Sequence, residues 1–411
     1  MTDALGHVGA DAIAHDLRRI VRVPSITGSE RAAAGAIVAL ARALDVDAEL
    51  VEFDLPAIRA TAGYPGEEAA RDELVGAIVT LAGSDPQAPR LALNGHIDVV
   101  HPGTEPWQRD PWSGDIADGC VHGRGTLDMK GGVVAALHAM AALKAAGISL
   151  PGDVVLQAVP SEEDGGLGTF AALQRDDRFA AALIPEPTEL RIVCAHGGAL
   201  TFTGTVRGRT AHAALRLEGV SAIDRYMPIH AALHEHERAV NARPRHPLLA
   251  DHPLPYALLV GQLRAGRWSS QVPEELVFEG RLGVPIGQSL QEARVDLERA
   301  VDDATDEHGP PVQIAWSGGQ FAPGETGLDD PWVTLVQDAA SAELGAPPPL
   351  IGVGYGTDMR LFCARGIPCV LFGPSGIELA HATDERVTIA DLEVVARVIV
   401  RCVLAFAAGC R

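Results

Sequence analysis

The stretch GGVVAALHAMAALKAAGISLPGDVVLQAVPSEEDGG, residues 131–166, places a helix pattern directly before a strand pattern. Its first half has apolar residues at helical spacing and ends at Gly147, a residue type common after the last turn of a helix. The run DVVLQAVP at residues 153–160 and the similar run RLALNG at residues 90–95 are typical of buried strands. Because the order is strand, helix, strand, we predict parallel strands joined by a right-handed crossover, and therefore an α/β domain.

A different pattern occupies the middle third of the chain. It contains, in order, the strand ALTFTGTVRG, a helix over residues 220–240, strands over 256–263 and 276–284, a helix over 289–305 and a strand over 311–316. The order βαββαβ is that of a split βαβ sandwich, which forms a domain by itself. The apolar strand IPCVLFG and a closing amphipathic helix then continue the α/β pattern. We therefore predict that residues 199–318 form a domain inserted into an α/β domain made of residues 1–198 and 319–411.

The composition is that of a globular protein whose partners are small molecules. The 411 residues exceed one ordinary core, and hydrophobic residues make up 47% and charged residues 21% of them. The formal net charge of −21 repels phosphate backbones and anionic lipid. We therefore expect neither nucleic acid nor a membrane surface as a partner.

The sequence also predicts a cytoplasmic location. The first residues, MTDALGHVGADAIAHDLRRIV, lack a basic segment followed by an apolar core, so no secretory signal is expected. The longest apolar run, CVLAFAAGC, is too short to span a bilayer. The six cysteines show no C-x-x-C spacing, and we expect reduced thiols.

Acids and histidines follow the predicted strands of the α/β domain. They are His96, Asp98, Asp128, Glu162, Glu163, Glu186 and His381. One polar residue at a strand end is expected in any α/β protein, and the acidic run EED alone is typical of solvated surface. Because the carboxyl ends of parallel strands meet at one edge of a sheet, however, we expect these side chains to converge. Imidazoles and carboxylates together suit zinc, cobalt or manganese, and five ligands fit two metals that share a carboxylate.

Three histidines in IHAALHEHERAV are a weaker signal. His230 and His234 are four residues apart on a predicted helix, a spacing that can bind zinc. No third ligand is evident from the sequence beside them, and His236 lies on another side of the helix. We interpret them as part of a solvated helix face.

Five motifs occur in the order found in one enzyme family. NGHIDVV, GRGTLDMKGG, PSEEDGG, IPEPT and AHATDERV resemble the motifs of the M20 family of dinuclear metallohydrolases. This family includes acetylornithine deacetylases, succinyl-diaminopimelate desuccinylases, aminoacylases and glutamate carboxypeptidases. The resemblance covers essentially the whole chain. It implies a catalytic domain of the zinc-exopeptidase type with a mainly parallel sheet, and an inserted ferredoxin-like βαββαβ domain that acts as a lid and mediates dimerisation.

The resemblance also implies a metal centre with two sites. His96, Asp128 and Glu186 would bind one metal, and Asp128, Glu163 and His381 would bind the other, so that Asp128 is the bridging ligand. Zn2+ is the first candidate, with Co2+ or Mn2+ as alternatives. The family often has a cis peptide bond after this aspartate.

The resemblance assigns Glu162 as the general base, which takes a proton from a water activated by the metals and returns it to the leaving amine. Neighbouring side chains on an extended backbone diverge, so we expect Glu162 and Glu163 to have separate tasks. Asp164 would only cap the following helix. Asp98, two residues from His96, would accept the ring N–H that His96 does not use for metal.

Residues outside the metal centre complete the implied site. His212 in RTAHAA resembles the histidine that reaches the partner subunit's active site and helps to stabilise the oxyanion. Arg281 has the strand parity of the family's substrate-carboxylate clamp, but it lies eight residues after Pro273 where the family usually has ten, and a plain surface arginine is an equal alternative. Gly356 and Thr357 in GYGTDMR resemble a segment that contacts the substrate's α-carboxylate, with a tight glycine turn as the alternative.

Together these residues predict a homodimeric, metal-dependent amidohydrolase that removes an N-acyl group from an amino acid or related amine. Glu186 favours the deacylase and aminoacylase branches of the family, since peptidase branches more often have aspartate there. A dipeptidase or carboxypeptidase with the same centre is the alternative within this chemistry. A metal-binding protein without catalysis is the alternative of another class, although a purely structural site has no need of Glu162.

Overall fold

The computed structural model describes residues 2–305 and 309–409. The chain forms two compact units. The first consists of Met1–Cys194, Glu325–Ile351 and Thr357–Arg411, and the second of Ala195–Gly324 and Gly352–Gly356. In sequence, the second unit therefore interrupts the first.

The strands and helices are numbered along the chain. The strands are β1 (Asp47–Glu52), β2 (Val75–Leu81), β3 (Leu91–His96), β4 (Asp115–Ala117), β5 (Cys120–His122), β6 (Val154–Val159), β7 (Ala181–Ile184), β8 (Ile192–His196), β9 (Gly198–Arg207), β10 (Leu258–Ala265), β11 (Glu275–Val284), β12 (Gln313–Phe321), β13 (Gly324–Glu325), β14 (Leu350–Val353), β15 (Cys369–Leu371) and β16 (Arg386–Thr388). The α-helices are α1 (Thr2–Gly6), α2 (Ala10–Val21), α3 (Arg31–Ala43), α4 (Leu55–Arg59), α5 (Gly131–Ala145), α6 (Leu167–Arg175), α7 (Ala222–Asn241), α8 (Leu290–Asp303), α9 (Pro331–Leu344), α10 (Met359–Cys363) and α11 (Ile389–Gly409). An irregular turn spans Thr126–Lys130, where Asp128 and Met129 have non-helical backbone angles. Short 3-10 helices span Ala213–Glu218, Pro247–Leu249 and Ile377–Leu379.

A nine-stranded mixed sheet forms the centre of the first unit. The strand order is β1-β2-β6-β3-β7-β15-β8-β13, with β14 beside β8. The central strands β6, β3, β7 and β15 are parallel to their neighbours in this group, whereas β1 and β2 add antiparallel strands at one side. The predicted α/β class with a mainly parallel central sheet is confirmed.

Three parallel strands position the acids and histidines predicted from the sequence. Every residue of β3, β6 and β7 is buried, which is the pattern of a sheet covered on both faces. Helix α5 is apolar around almost its whole circumference because it contacts α11, α2 and β3. Since these strands run parallel, their carboxyl ends bring His96, Glu162, Glu163 and Glu186 to the same edge of the sheet.

Close backbone contact fixes the start of α5 next to the carboxyl end of β7. A Cβ atom on Gly132 would lie 2.1 Å from the carbonyl oxygen of Pro185, the residue before Glu186. No side chain fits at this distance, so the glycine allows the helix to begin directly against the segment that carries Glu186.

A small three-stranded sheet, in the order β16-β5-β4, joins two distant parts of the chain in the first unit. Strands β16 and β5 are antiparallel, and Arg386 lies opposite His122. Strand β5 leads into the segment that ends at Asp128, and β16 follows the segment that begins at His381. The pairing therefore brings these two segments side by side.

The second unit is a four-stranded antiparallel sheet in the order β10-β11-β9-β12, with α7 and α8 packed on it. Its elements follow one another as β9-α7-β10-β11-α8-β12, which is the predicted βαββαβ order. Ile229 of α7 and Leu297 of α8 share a buried core with Phe202 and Phe278 of the sheet. Ser289 begins α8 with a capping box.

None of the helices in residues 2–305 and 309–409 has the length and apolar character needed to cross a membrane. The five cysteines within these ranges are free thiols, and Cys410 lies outside the described residues. The cytoplasmic location stays a prediction.

Candidate metal centre

His96, Asp128 and Glu186 form a first group of possible ligands. His96 ends β3, Glu186 follows β7, and Asp128 lies in the irregular turn before α5. The Nε2 atom of His96 lies 3.1 Å from Oδ1 of Asp128 and 3.6 Å from Oε1 of Glu186. One ligand atom from each residue lies within 4.8 Å of those of the other two. Three donors can therefore face a single cation.

A second group shares Asp128 with the first. The Nε2 atom of His381 lies 3.3 Å from Oδ2 of Asp128 and 3.0 Å from Oε2 of Glu163, and these donors also lie within 4.8 Å of one another. The two oxygens of Asp128 thus face different histidines, which is the arrangement of a carboxylate able to bridge two cations. The peptide bond between Asp128 and Met129 is cis, as the resemblance implies.

The donor set fits a divalent cation that accepts nitrogen and oxygen ligands. In the part of the chain that the structure describes, no lysine or arginine pairs with Asp128, Glu163 or Glu186. Burial raises the pKa of Glu163 and raises the pKa of Glu186 well above its ordinary value, and the charge of Asp128 adds to both shifts. Buried carboxylates crowded in this way are unfavourable unless a cation neutralises them.

The two histidines are strongly basic beside these acids. Burial lowers the pKa of His96, but the charge of Glu186, the hydrogen bond with Asp128 and the charge of the nearby Asp98 carboxylate outweigh it and raise the pKa well above its ordinary value. Hydrogen bonds with Asp128 and Glu163 raise the pKa of His381 to about 10. Metal binding would therefore have to displace protons from both rings.

Asp98 holds the turn that carries the two glutamates. The Nδ1 atom of His96 lies 2.9 Å from the main-chain oxygen of Asp98 and 3.6 Å from its carboxylate, so the ring donates to the carbonyl. This differs from the predicted arrangement, in which the carboxylate accepts that proton. The carboxylate instead accepts hydrogen bonds from the main-chain N–H of Glu162 at 3.1 Å and of Glu163 at 3.2 Å, and from the hydroxyl of Thr27 at 3.1 Å.

Glu162 and Glu163 lie in a turn, and the expectation of an extended backbone was wrong. The N–H of Gly165 donates to the main-chain oxygen of Glu162 at 3.2 Å. The side chains nevertheless have separate surroundings, because Glu163 lies against His381 while none of the described residues donates a hydrogen bond to the Glu162 carboxylate. Burial and then the charge of Asp358 raise the pKa of Glu162 well above its ordinary value.

Asp164 anchors the same turn from inside the protein. Its side chain is 7% exposed and lies 2.7 Å from Nη2 of Arg71, whose side chain is 0% exposed. It also accepts hydrogen bonds from the Ser161 hydroxyl and from the main-chain N–H groups of Glu68 and Ala69. The expectation that Asp164 only caps a helix was wrong. Nothing in the local pattern points to Arg71, which follows a stretch rich in Gly, Pro and Glu.

The comparison with known proteins agrees with this geometry. A sequence model described as Peptidase family M20/M25/M40 matches residues 92–405, which is more than half of the chain. The protein belongs to this family.

Several relatives of this M20 protein have established names. A succinyl-diaminopimelate desuccinylase of Methylobacterium radiotolerans is 28% identical over 406 residues, which cover 94% of this chain and 95% of that protein. An N-formyl-4-amino-5-aminomethyl-2-methylpyrimidine deformylase of Bacillus subtilis is 28% identical over 331 residues, which cover 74% and 76% of the two chains. A tripeptidase from Staphylococcus aureus has a TM-score of 0.75 at 20% identity, covering 98% of this chain and 99% of that chain, and shares the fold.

Family membership and the donor cluster together define the class of enzyme. M20 proteins are metal-dependent, and the described residues of this chain contain a cluster of side chains that can hold metal. The predicted class, an M20-type metallohydrolase acting on an amide bond, is confirmed.

Two of the remaining predicted residues lie in the second unit of this M20 chain. His212 is exposed, and its Nδ1 atom accepts a hydrogen bond from the N–H of Ala214 at 3.1 Å. Arg281 lies on β11, and its guanidinium carbon lies 5.7 Å from the centre of the Phe321 ring. Their roles toward substrate stay predictions.

Gly356 and Thr357 fall on either side of the boundary between the units. A Cβ atom on Gly356 would lie 2.6 Å from Cβ of Phe321, so only glycine fits there. Thr357 is buried, and its hydroxyl accepts a hydrogen bond from the N–H of Met359 at 3.3 Å. Their contact with substrate also stays a prediction.

His230 and His234 lie together on α7, with ring centres 4.6 Å apart. Among the described residues, the groups able to hold a metal do not include them. The interpretation of this pair as a helix face is unchanged.

Proposed function

We propose that this protein is a dinuclear M20 deacylase, which hydrolyses the amide bond between an acyl group and an amino acid or related amine. The observation that carries the proposal is the Asp128 carboxylate, whose two oxygens face His96 and His381. His96 and Glu186 would hold one metal beside Asp128, and Glu163 and His381 would hold the other. Zn2+ is the first candidate because it accepts imidazole and carboxylate ligands, and Co2+ and Mn2+ are the alternatives.

Glu162 is the proposed general base. When bound, the metals supply Lewis-acid activation of a water and of the substrate carbonyl. Glu162 is next to the ligand Glu163, its main-chain N–H is fixed by Asp98, and its carboxylate accepts no hydrogen bond from the described residues. It can therefore take a proton from the attacking water and deliver it to the leaving nitrogen as the C–N bond breaks.

N-acyl compounds are the proposed substrate class. The names of two relatives describe removal of a succinyl and of a formyl group, and the glutamate at position 186 favours the same branches. Arg281, Gly356 and Thr357 would bind the substrate carboxylate. A peptidase is the second candidate, because a probable carboxypeptidase of Aspergillus niger is also 28% identical, over 314 residues.

The second unit is the proposed lid and dimerisation domain. Leu259 and Leu263 on the edge strand β10 are exposed, as are Ile223 and Met227 on α7. An exposed apolar edge strand invites pairing with another chain, and a second copy of this chain would cover it. His212, in the same unit, would then help to stabilise the oxyanion in the partner subunit's active site.

Glu162→Gln tests the proposal because it removes the base and keeps the shape of the side chain. We expect both metals to remain, and turnover of N-acyl amino acids to fall by about 10²- to 10⁴-fold. Glu235→Gln, on the exposed face of α7, is the matched control. Normal turnover by Glu162→Gln would overturn the assignment of the base.

Assays of the wild-type protein on a panel of N-acyl amino acids and dipeptides distinguish the deacylase from the peptidase and from a metal-binding protein without catalysis. Cleavage of the dipeptides alone would favour the peptidase. Retention of metal without hydrolysis of any compound would favour a binding protein.

A further inference from the structure

Glu385 is fully buried and accepts hydrogen bonds from a whole segment of the site. Its Oε2 atom accepts from Nη1 of Arg124 at 2.7 Å and from the main-chain N–H of Gly125 at 2.9 Å. Its Oε1 atom accepts from the main-chain N–H groups of Leu127 at 2.9 Å and Asp128 at 3.2 Å. One carboxylate therefore satisfies four donors in the segment that ends at the bridging aspartate.

Arg124, which pairs with Glu385, also binds the segment that carries His381. Its side chain is 2% exposed, and Nη2 donates to the main-chain oxygen of His381 at 3.2 Å. The guanidinium carbon lies 5.1 Å from the centre of the Trp107 ring, which fixes its position further. The main-chain oxygen of Glu385 also accepts the N–H of Gly123 at 2.9 Å. The segments that carry Asp128 and His381 are thus bound to each other through one buried ion pair.

The two ligand groups depend unequally on this ion pair. In the first group, His96 ends β3 and Glu186 follows β7, so the central sheet itself sets their separation. In the second group, Asp128 and His381 lie in two irregular segments that join only beside the small sheet. The pairing of β5 with β16 brings these two segments together, and the contacts of Arg124 and Glu385 fix the positions of the two ligands beyond the paired strands.

We infer that Glu385 and Arg124 are positioning residues for the second ligand group, Asp128, Glu163 and His381, and that they determine how tightly this group holds its metal. The inference rests on the proposed dinuclear centre. Loss of a residue that orients a ligand commonly weakens metal binding by about 10- to 100-fold. Because the sheet fixes His96 and Glu186, and the first group shares only Asp128 with the second, the larger loss should fall on the metal of the second group.

Glu385→Gln tests the inference, because it keeps the size of the side chain but replaces an accepting oxygen with an NH2 group. The apo protein is titrated with Zn2+ and both stepwise dissociation constants are measured. We expect one Zn2+ to bind about 10- to 100-fold more weakly, and the dissociation constant of the other, whose ligands share only Asp128 with the second group, to change less. In a His381→Ala background, which removes the second group, Glu385→Gln should weaken the remaining constant by less than it weakens the second Zn2+ of the intact centre.

Glu343→Gln is the matched control for destabilisation alone. The Glu343 side chain is 8% exposed and pairs with Arg397 and Arg401 between α9 and α11, away from the ligand segments. We expect it to lower the unfolding temperature and leave both Zn2+ constants unchanged. Arg124→Lys, which keeps the charge but loses the paired donors, is the second test variant if Glu385→Gln does not fold.

The outcomes separate this inference from the proposed function. If the wild type binds two Zn2+ ions and the test variants leave both constants unchanged, the positioning role is overturned and the dinuclear centre stands. Equal weakening of both constants would also overturn it, because the ion pair would then be a general structural element. If the wild type binds a single Zn2+, the dinuclear centre fails and the inference fails with it.

Discussion

The carboxylate of Asp98 accepts a hydrogen bond from the main-chain N–H of Glu162 at 3.1 Å. Its other oxygen accepts the N–H of Glu163, and its main-chain oxygen accepts the ring N–H of His96. One buried residue therefore orients the proposed base together with a proposed ligand of each metal.

Asp98→Asn should weaken the contacts of the carboxylate with the glutamate turn and leave the contact with His96 intact. The amide group can accept only one of the two main-chain hydrogen bonds, whereas the contact between His96 and the main-chain oxygen remains. We expect kcat to fall by about 10- to 100-fold, with the metal content largely retained. Steady-state kinetics and metal analysis check this. Thr27→Val removes only the third hydrogen bond to the carboxylate and should have a smaller effect, and equal kcat values for Asp98→Asn and wild type would contradict the prediction.

Asp164→Asn should destabilise the protein strongly. It removes one of the three carboxylates that face the buried Arg71 guanidinium. Because Glu30 and Glu67 still face that charge, we expect a cost of about 1.5 to 3 kcal/mol, as for the loss of a hydrogen bond to a charged group. Chemical denaturation of the wild type and the variant measures the change in free energy of unfolding. Glu235→Gln breaks an exposed pair with Arg238 and should change it by less than about 0.5 kcal/mol. A similar small change for Asp164→Asn would show that the buried pair contributes little.

Metal binding should tighten as pH rises. His381 must be neutral to bind a metal, and its pKa of about 10 in the metal-free protein means that it is protonated at neutral pH. Each proton displaced on binding makes the apparent affinity rise by up to about tenfold per pH unit below that pKa. Calorimetric titrations in two buffers with different ionisation enthalpies count the released protons. His381→Ala should release fewer, and an affinity that is constant between about pH 6 and 8 would argue against these histidine ligands.

Charged substitutions on β10 should break the proposed dimer. Leu259→Glu and Leu263→Glu place a carboxylate on the exposed apolar edge, so a chain that pairs there should become a monomer. We expect turnover to fall with the loss of the dimer while metal content is unchanged. Leu50→Glu, at an exposed leucine of the first unit, is the control. Sedimentation measures the mass of each variant. If both β10 variants kept the wild-type mass, as the Leu50→Glu control should, the proposed dimer contact would be wrong.

The convergence of the ligands could be predicted from the sequence because it follows from the parallel strands. His96, Glu163 and Glu186 come shortly after buried apolar runs, and a parallel sheet brings such positions to one edge. The buried partners could not be predicted. Asp164 pairs with Arg71 and Glu385 with Arg124, and each pair joins residues that are distant in the chain and have no shared periodicity. The local backbone of the glutamate turn was mispredicted for the same reason, since distant contacts hold it.

The order of the ligands along the chain has a consequence for the newly synthesised protein. His96, Asp128 and Glu186 all precede the second unit in sequence, whereas His381 follows it. During translation, the donors of the first group leave the ribosome before the inserted unit is made. The second group cannot be completed until that unit has been synthesised and the chain has returned to the first. In the proposed dinuclear centre, occupancy of the second group would therefore mark a nearly finished chain.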